Sequence, residues 1–213
     1  MIGTKLWTSA LGQIHSSTVM ARRIPRLASH LVEFFPENVC VLDVGSGNGQ
    51  LASLIMEKRP DIRIEGLDVL LWPEQAIETS QFDGHSIPFS DGEWDFCMAC
   101  DVLHHCEDPV ELLSEMTRVA KLGIVLKDHL SNSPIDHFTL CLMDWVGNRG
   151  HGVELPFNYY SSVEWNEAIE SVGLHLDMTV NRLKLYPHPF SWFFDRDLHF
   201  VSRYRKSEYQ TKD

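Results

Sequence analysis

The sequence predicts an α/β fold built on a mostly parallel sheet, and three observations carry that prediction. Val39-Cys40-Val41-Leu42-Asp43-Val44 is a nearly continuous apolar run, the mark of a strand covered on both faces. A glycine-rich turn, Gly45-Ser46-Gly47-Asn48-Gly49, leads from it directly into a helical pattern. A second strand pattern then ends near Asp68, 19 residues beyond Gly49, which completes a strand, loop, helix and strand unit with a right-handed crossover. The 213 residues, 44% of them apolar, suffice for one ordinary core. A single domain over 1–213 is therefore expected, with residues 1–38 as a helical N-terminal extension.

Each element follows from its own pattern. From Ser17 to Phe35, apolar residues recur at helical spacing, and Pro25 removes a backbone donor mid-way, so a bent or two-part helix is expected. Pro36-Glu37-Asn38 breaks it before the first strand. Leu51, Leu54 and Ile55 place a helix over 50–59, stopped at Pro60. The second strand covers Arg63 to Val69 and a short third covers Ile77 to Gln81. Turn residues around Gly84 and Gly92 precede a strand from Trp94 to Cys100. Asp108 is placed to cap a helix that opens on Pro109, carries Val110, Leu113, Met116 and Val119, and ends near Lys121. Leu122 to Asp128 reads as a fifth buried strand.

The stretch 131–160 is too long for a simple connection and is expected to form a cap inserted in the domain. Asp136 to Val146 has a helical pattern within it, 147–152 has loop composition, and Phe157, Tyr159 and Tyr160 need a surface to pack on. Ser161 and Glu164 make a capping box for a helix that carries Trp165, Ala168, Ile169 and Val172 and stops at Gly173. Leu174 to Asn181 is the next strand. Leu198 to Tyr204 alternates as an antiparallel or edge strand, with a loop over the sheet between the two. The polar end, 205–213, is expected to fray.

Charge narrows the partners. Eighteen Lys and Arg against 30 Asp and Glu give −12 with His neutral, a field that repels nucleic-acid phosphates and anionic membranes. The short basic run Arg203 to Lys206 reads as a solvated edge rather than an RNA track. No run approaches the roughly 18 apolar residues that span a bilayer, and Met1 to Trp7 lacks a signal core. Five cysteines, odd in number and without framework spacing, agree with a reducing compartment. A cytoplasmic protein is expected, with no nucleic-acid partner and no stable membrane insertion; a monomer and a homo-oligomer fit equally.

A glycine loop between a buried strand and a helix lets backbone N–H groups approach a ligand closely, as adenosine-containing cofactors require. The pattern here is GxGxG, one residue shorter than the dinucleotide pattern, and it lacks the Gly-Lys-Ser/Thr ending of a phosphate loop. Asp68, ending the second strand, can accept both ribose hydroxyls; Asp83 can reach an adenine edge or serve the turn at Gly84.

With Val41 to Gly49, Gly66-Leu67-Asp68, Asp83-Gly84 with Ile87-Pro88-Phe89, and Trp94-Asp95-Phe96 leading to Asp101-Val102-Leu103-His104-His105, the chain resembles the class I S-adenosylmethionine-dependent methyltransferases, small-molecule branch. The resemblance implies a Rossmann-like seven-stranded sheet in the order 3-2-1-4-5-7-6 with strand 7 antiparallel, and S-adenosyl-L-methionine as cofactor. It implies Gly45, Gly47 and Gly49 near the methionine part, Asp43 orienting that loop or the amino group, Asp68 at the ribose, Asp83 toward adenine and Asp101 near the methionine amino end. Ser46 departs from the Cys or other small residue of many relatives.

The expected activity is in-line methyl transfer to a small organic acceptor, aromatic or lipophilic, with oxygen as the acceptor atom. Such an acceptor needs its proton removed, and histidine suits that task. His129, ending the fifth strand, is the first candidate base or a turn-bonding residue; His105 is a weaker one, and Asp128 either positions His129 or meets the acceptor. His137, Cys141 and Asp144 share a helix face, but a solvated cap is the preferred reading and no metal is expected. The alternative to an enzyme is a non-catalytic cofactor-binding or protein-interaction module that keeps the fold.

Overall fold

Alternate residues of the central strands serve opposite faces of the sheet, so each face acquires its own apolar layer and its own helices. The computed structural model describes residues 21–148, 156–186 and 191–207. Readings that fall on 1–20, 149–155, 187–190 and 208–213 lie outside the described residues; these include the start of the first helix, His151 and most of the polar end.

Seven strands form one sheet: β1 Cys40–Val44, β2 Arg63–Asp68, β3 Thr79–Gln81, β4 Trp94–Cys100, β5 Ala120–His129, β6 Leu174–Val180 and β7 His199–Lys206. Their order is β3-β2-β1-β4-β5-β7-β6, with the first five parallel and β7 antiparallel to both neighbours, which is the expected topology. One face buries Leu42, Val44, Cys97, Ala99 and Leu126 beneath helix α3 (Pro109–Val119) and helix α5 (Ser162–Ser171). The other buries Val41, Ile64, Phe96, Met98 and Val125 beneath helix α1 (Ala21–Leu31) and helix α2 (Gln50–Lys58). Helix α4 (Pro134–Asn148) follows β5, and a short α6 (Ser191–Phe194) precedes β7.

Local chemistry sets the helix ends. Asp108 Oδ1 accepts from the backbone N–H of Val110 at 3.0 Å and Glu111 at 3.1 Å, and Pro109 fills the first position without wasting a donor. Both halves of the Ser161–Glu164 capping box are formed. The first helix is in two parts, α1 and a 3-10 turn over Val32–Phe34, but the division falls after Leu31 and not at Pro25, which lies inside α1. Arg59 locks that end by donating to the carbonyls of Val32, Phe35 and Pro36.

Three readings are corrected. Strand β5 begins at Ala120 rather than Leu122, because Lys206 Nζ donates to the carbonyls of Thr117 and Ala120 and supports a direct passage from helix to strand. Arg205 and Lys206 are strand rather than frayed end: β7 is an inner strand, and Asp177 of β6 holds Arg203 at 2.5 Å and Arg205 at 2.9 Å. The connection before β7 is more than a surface loop, since Leu183, Leu185 and Tyr186 are buried in the α1 face.

The inner position of β7 also explains Gly123. A Cβ there would overlap the carbonyl oxygen of Tyr204 and lie 3.0 Å from Arg205 Cα. Backbone held by neighbours on both sides has little room to move, so Gly123→Ala should cost about 1–3 kcal/mol through overpacking. Urea unfolding should show a lower midpoint at unchanged slope; an unchanged midpoint would mean that β7 yields freely.

Candidate functional site

The glycine loop is folded between the ends of β2 and β4. Gly45 and Ser46 donate N–H bonds to Leu67 O at 2.7 and 3.3 Å, and Gly47 N–H donates to Asp68 Oδ2 at 2.7 Å. Gly45 and Gly49 have no space for a side chain: a Cβ on Gly45 would run into Val102, and one on Gly49 would lie 2.5 Å from Ile77 Cγ1. Gly47 differs. Its φ of 58° suits glycine, but a Cβ there would meet nothing within 4 Å, so crowding is not what requires it. The loop thus presents bare backbone to an open space at the carboxyl ends of the strands, where ligands of such sheets bind.

The acids around that space differ in state. Burial, helped by the charge of Asp68, pushes Asp43 up to about 8, so this carboxyl is largely protonated at neutral pH. Asp68 Oδ1 also accepts from Leu70 N–H at 2.9 Å, and the exposed apolar run Val69 to Trp72 follows it. Asp83 Oδ1 accepts from His85 and Ser86 N–H, both at 2.8 Å, which satisfies the turn reading of this residue and holds its carboxyl below the usual range. The buried Ser46 Oγ has no hydrogen-bond partner among the described residues.

A second cluster lies at the ends of β4 and β5, next to the first, since Gly45 packs on Val102. Asp101 takes a φ of 59° and turns the chain into a 3-10 segment, Leu103–His105, against the end of β5. Its carboxylate pairs with Arg23 of α1 at 2.5 Å and with the fully buried Lys127. Burial alone would raise Asp101; Arg23 and Lys127 outweigh it and hold the carboxyl well below its usual value. Burial lowers Lys127, and Asp101 offsets only part of that.

Asp128 is the centre of the cluster. Its Oδ1 accepts from His104 Nδ1 at 2.6 Å and from the backbone N–H of His129 at 2.8 Å, with His129 Nδ1 at 3.3 Å. Burial would lower His104, but the carboxylate beside it dominates and raises its affinity for a proton. His129 goes the other way: burial and the ammonium of Lys127 push it well below the ordinary value and keep it neutral at pH 7. His199 is lowered for the same two reasons. His105, half-buried, is lowered by burial and by His104. Residues of the expected cap close the group: Tyr159 stacks on His104 at 5.5 Å and donates its hydroxyl to Asp144, whose Oδ2 lies 3.5 Å from His104 Nε2.

The structure therefore brings His105, Asp128 and His129 together, with Asp101 Oδ1 3.7 Å from His129 Nδ1 and the next residue, Val102, against Gly45 of the glycine loop. It joins Asp128 more closely to His104 than to the adjacent His129. Arg23, Lys127 and His199 had no assigned role in the sequence reading. Lys127 did carry a signal, a charged residue inside an apolar strand; His199 carried none, since it faces His129 only through the β5–β7 register.

A family model described as a methyltransferase domain matches residues 15–178. The bifunctional methionine biosynthesis protein MetXA/MetW of Rhodopirellula baltica is 31% identical over 109 residues, covering 45% of this chain and 18% of that protein. The demethylmenaquinone methyltransferase of Thermotoga maritima is 31% identical over 103 residues, covering 45% of this chain and 44% of that protein. The matches thus span less than half the length of these two curated relatives. A SAM-dependent methyltransferase of Aquifex aeolicus, solved as a crystal structure, shares the fold with a TM-score of 0.57 at 19% identity, over 93% of this chain and 97% of that one.

Proposed function

The chain belongs to the class I S-adenosylmethionine-dependent methyltransferase family, and from that premise we propose that it methylates a small organic acceptor, at oxygen, using S-adenosyl-L-methionine. The observation that carries the reading is the direct packing of the glycine loop on Val102, which sets the open space over Gly47 beside the Asp101 and Asp128 clusters. Cofactor and acceptor regions are then neighbours across the ends of β1, β4 and β5.

The residues fit the cofactor. The bare backbone at Gly47 admits a close ligand, and Asp68 has carboxylate lone pairs for ribose hydroxyls beside its bonds from Gly47 and Leu70 N–H. Gly45 and Gly49 shape the loop, and Asp43 supports it from beneath. Asp83 braces the turn on the adenine side, and Asp101 faces the methionine amino end. When bound, the cofactor supplies a methyl group activated by sulfonium charge, so orientation and exclusion of water carry much of the catalysis. Asp128 orients His129, whose neutral imidazole accepts the acceptor's proton; His105 lines the mouth. The segment 131–160 serves as the cap, supported by the reach of Asp144 and Tyr159 into the cluster. The ring of Tyr159 beside His104 and His129 supports an aromatic acceptor. Among the described residues no helix is long and apolar enough to cross a membrane.

Calorimetry with S-adenosylmethionine and S-adenosylhomocysteine, followed by a methyl-transfer screen over phenols, alcohols and amines, tests the proposal. Failure to bind either compound would overturn it, and binding without turnover on any acceptor would leave a cofactor-binding module. Asp68→Ala should weaken cofactor binding by about 1.5–3 kcal/mol, the scale of lost charged hydrogen bonds, with circular dichroism unchanged. Unaltered affinity in the folded variant would reject the ribose role.

A further inference from the structure

We propose that His104, His105 and Asp144 form a binding site for one divalent cation of the zinc type at the mouth of the Asp128 cluster. Its place beside an acceptor rests on the methyltransferase reading; the binding itself does not.

One ligand atom from each of the three residues lies within 4.8 Å of the other two. Tetrahedral zinc with bonds of about 2.0–2.1 Å spaces its ligands roughly 3.3 Å apart, so the 3.5 Å between His104 Nε2 and Asp144 Oδ2 already spans one edge. His105 brings the third ligand atom within 4.8 Å of these two, and its Nδ1 is buried without a partner among the described residues.

The surroundings match what a metal-binding imidazole needs. With Nδ1–H of His104 donating to Asp128 at 2.6 Å, Nε2 faces Asp144, and a cation bound between them takes the place of the Nε2 proton that these carboxylates otherwise favour. A carboxylate behind a ligating histidine fixes tautomer and ring orientation in this way. Asp144 is steadied in turn by the Tyr159 hydroxyl. Charge points the same way: Asp101 has both Arg23 and Lys127, whereas neither Asp128 nor Asp144 forms an ion pair with a lysine or arginine among the described residues.

A second trio, His104, Asp128 and His129, is equally close. It is less suited to an ion, because Asp128 Oδ1 already accepts the His104 and His129 bonds and all three side chains are buried. Two imidazoles and one carboxylate suit zinc, and three protein ligands leave a fourth position for an oxygen from water or an acceptor.

The test is equilibrium dialysis of metal-stripped protein against Zn²⁺, with Co²⁺ absorption as the geometric probe and S-adenosylhomocysteine calorimetry on the same samples. His104 is buried, so the variants are placed on its partly buried partners. We expect one Zn²⁺ per chain, a tetrahedral Co²⁺ spectrum without thiolate charge-transfer bands, and affinity lowered by more than about tenfold in His105→Ala and in Asp144→Asn. His175→Ala, on the exposed edge strand, should bind as the parent does. Absence of stoichiometric Zn²⁺ in the parent, parent affinity in the His105→Ala/Asp144→Asn double variant, or thiolate bands from the cysteines would each overturn the site. Loss of S-adenosylhomocysteine binding in the parent would instead strike the methyltransferase reading and leave the metal result standing.

Discussion

His129→Gln is expected to slow methyl transfer by about 10²–10⁴-fold while cofactor affinity stays at the parent value. The side chain lies at the end of β5, with Nδ1 3.3 Å from Asp128 and its ring against those of His104, Tyr159 and His199. Glutamine keeps polar reach at that point but cannot take up a proton at neutral pH. The pH profile supplies the independent check. Because burial and Lys127 lower His129 well below the ordinary histidine value, its proton-accepting form prevails across and below pH 6.5. The parent rate should therefore hold level from pH 8 through 6.5 and fall only at more acidic pH, and the variant should lose that acid limb. A decrease under tenfold with the limb retained would assign catalysis to orientation instead.

Asp101→Asn should be the most destabilising polar substitution at the site, by about 3–5 kcal/mol at pH 7. Asparagine tolerates the left-handed backbone at this position, so the loss isolates the charge. Without the carboxylate, the fully buried ammonium of Lys127 loses its ion-pair partner while the guanidinium of Arg23 stays nearby. The sign of the pH dependence follows from Lys127, which is already lowered in the parent. Between its folded value and its ordinary one near 10.5 the unfolded chain binds more protons, so stability rises with pH. Removing Asp101 lowers Lys127 further and moves the start of that window down. Urea midpoints at pH 7 and 9 should thus rise more in the variant than in the parent. A difference below 1 kcal/mol, or one that does not change with pH, would show that Arg23 and Lys127 do not depend on this carboxylate.

Relations local in sequence are legible in the sequence itself. The β1 run, the glycine loop, the Asp108 cap and the Ser161–Glu164 box each rest on a few neighbouring residues whose torsions and hydrogen bonds close among themselves. The parallel β1-α2-β2 unit follows from a right-handed crossover, which local patterning and chain chirality determine together, whereas the order of all the strands is implied by the family resemblance and shown by the fold. The glycine loop and Asp68 are legible as parts of one β-α-β unit, and the bond from Gly47 N–H to Asp68 is what the fold adds.

Which charges and rings meet at the site was decided by the tertiary structure alone. Arg23 reaches Asp101 across 78 positions, because α1 packs on the sheet face below β4 and β5. His199 stands beside His129 because β7 enters antiparallel between β5 and β6, a register no local pattern encodes. Asp128 prefers His104 to its sequence neighbour, because a turn begun by the positive φ of Asp101 delivers that imidazole from the next strand. Sequence spacing constrains torsions within an element, whereas the partners of a buried charge depend on which strands the sheet sets side by side, and these contacts set the protonation of His104, His129 and Lys127.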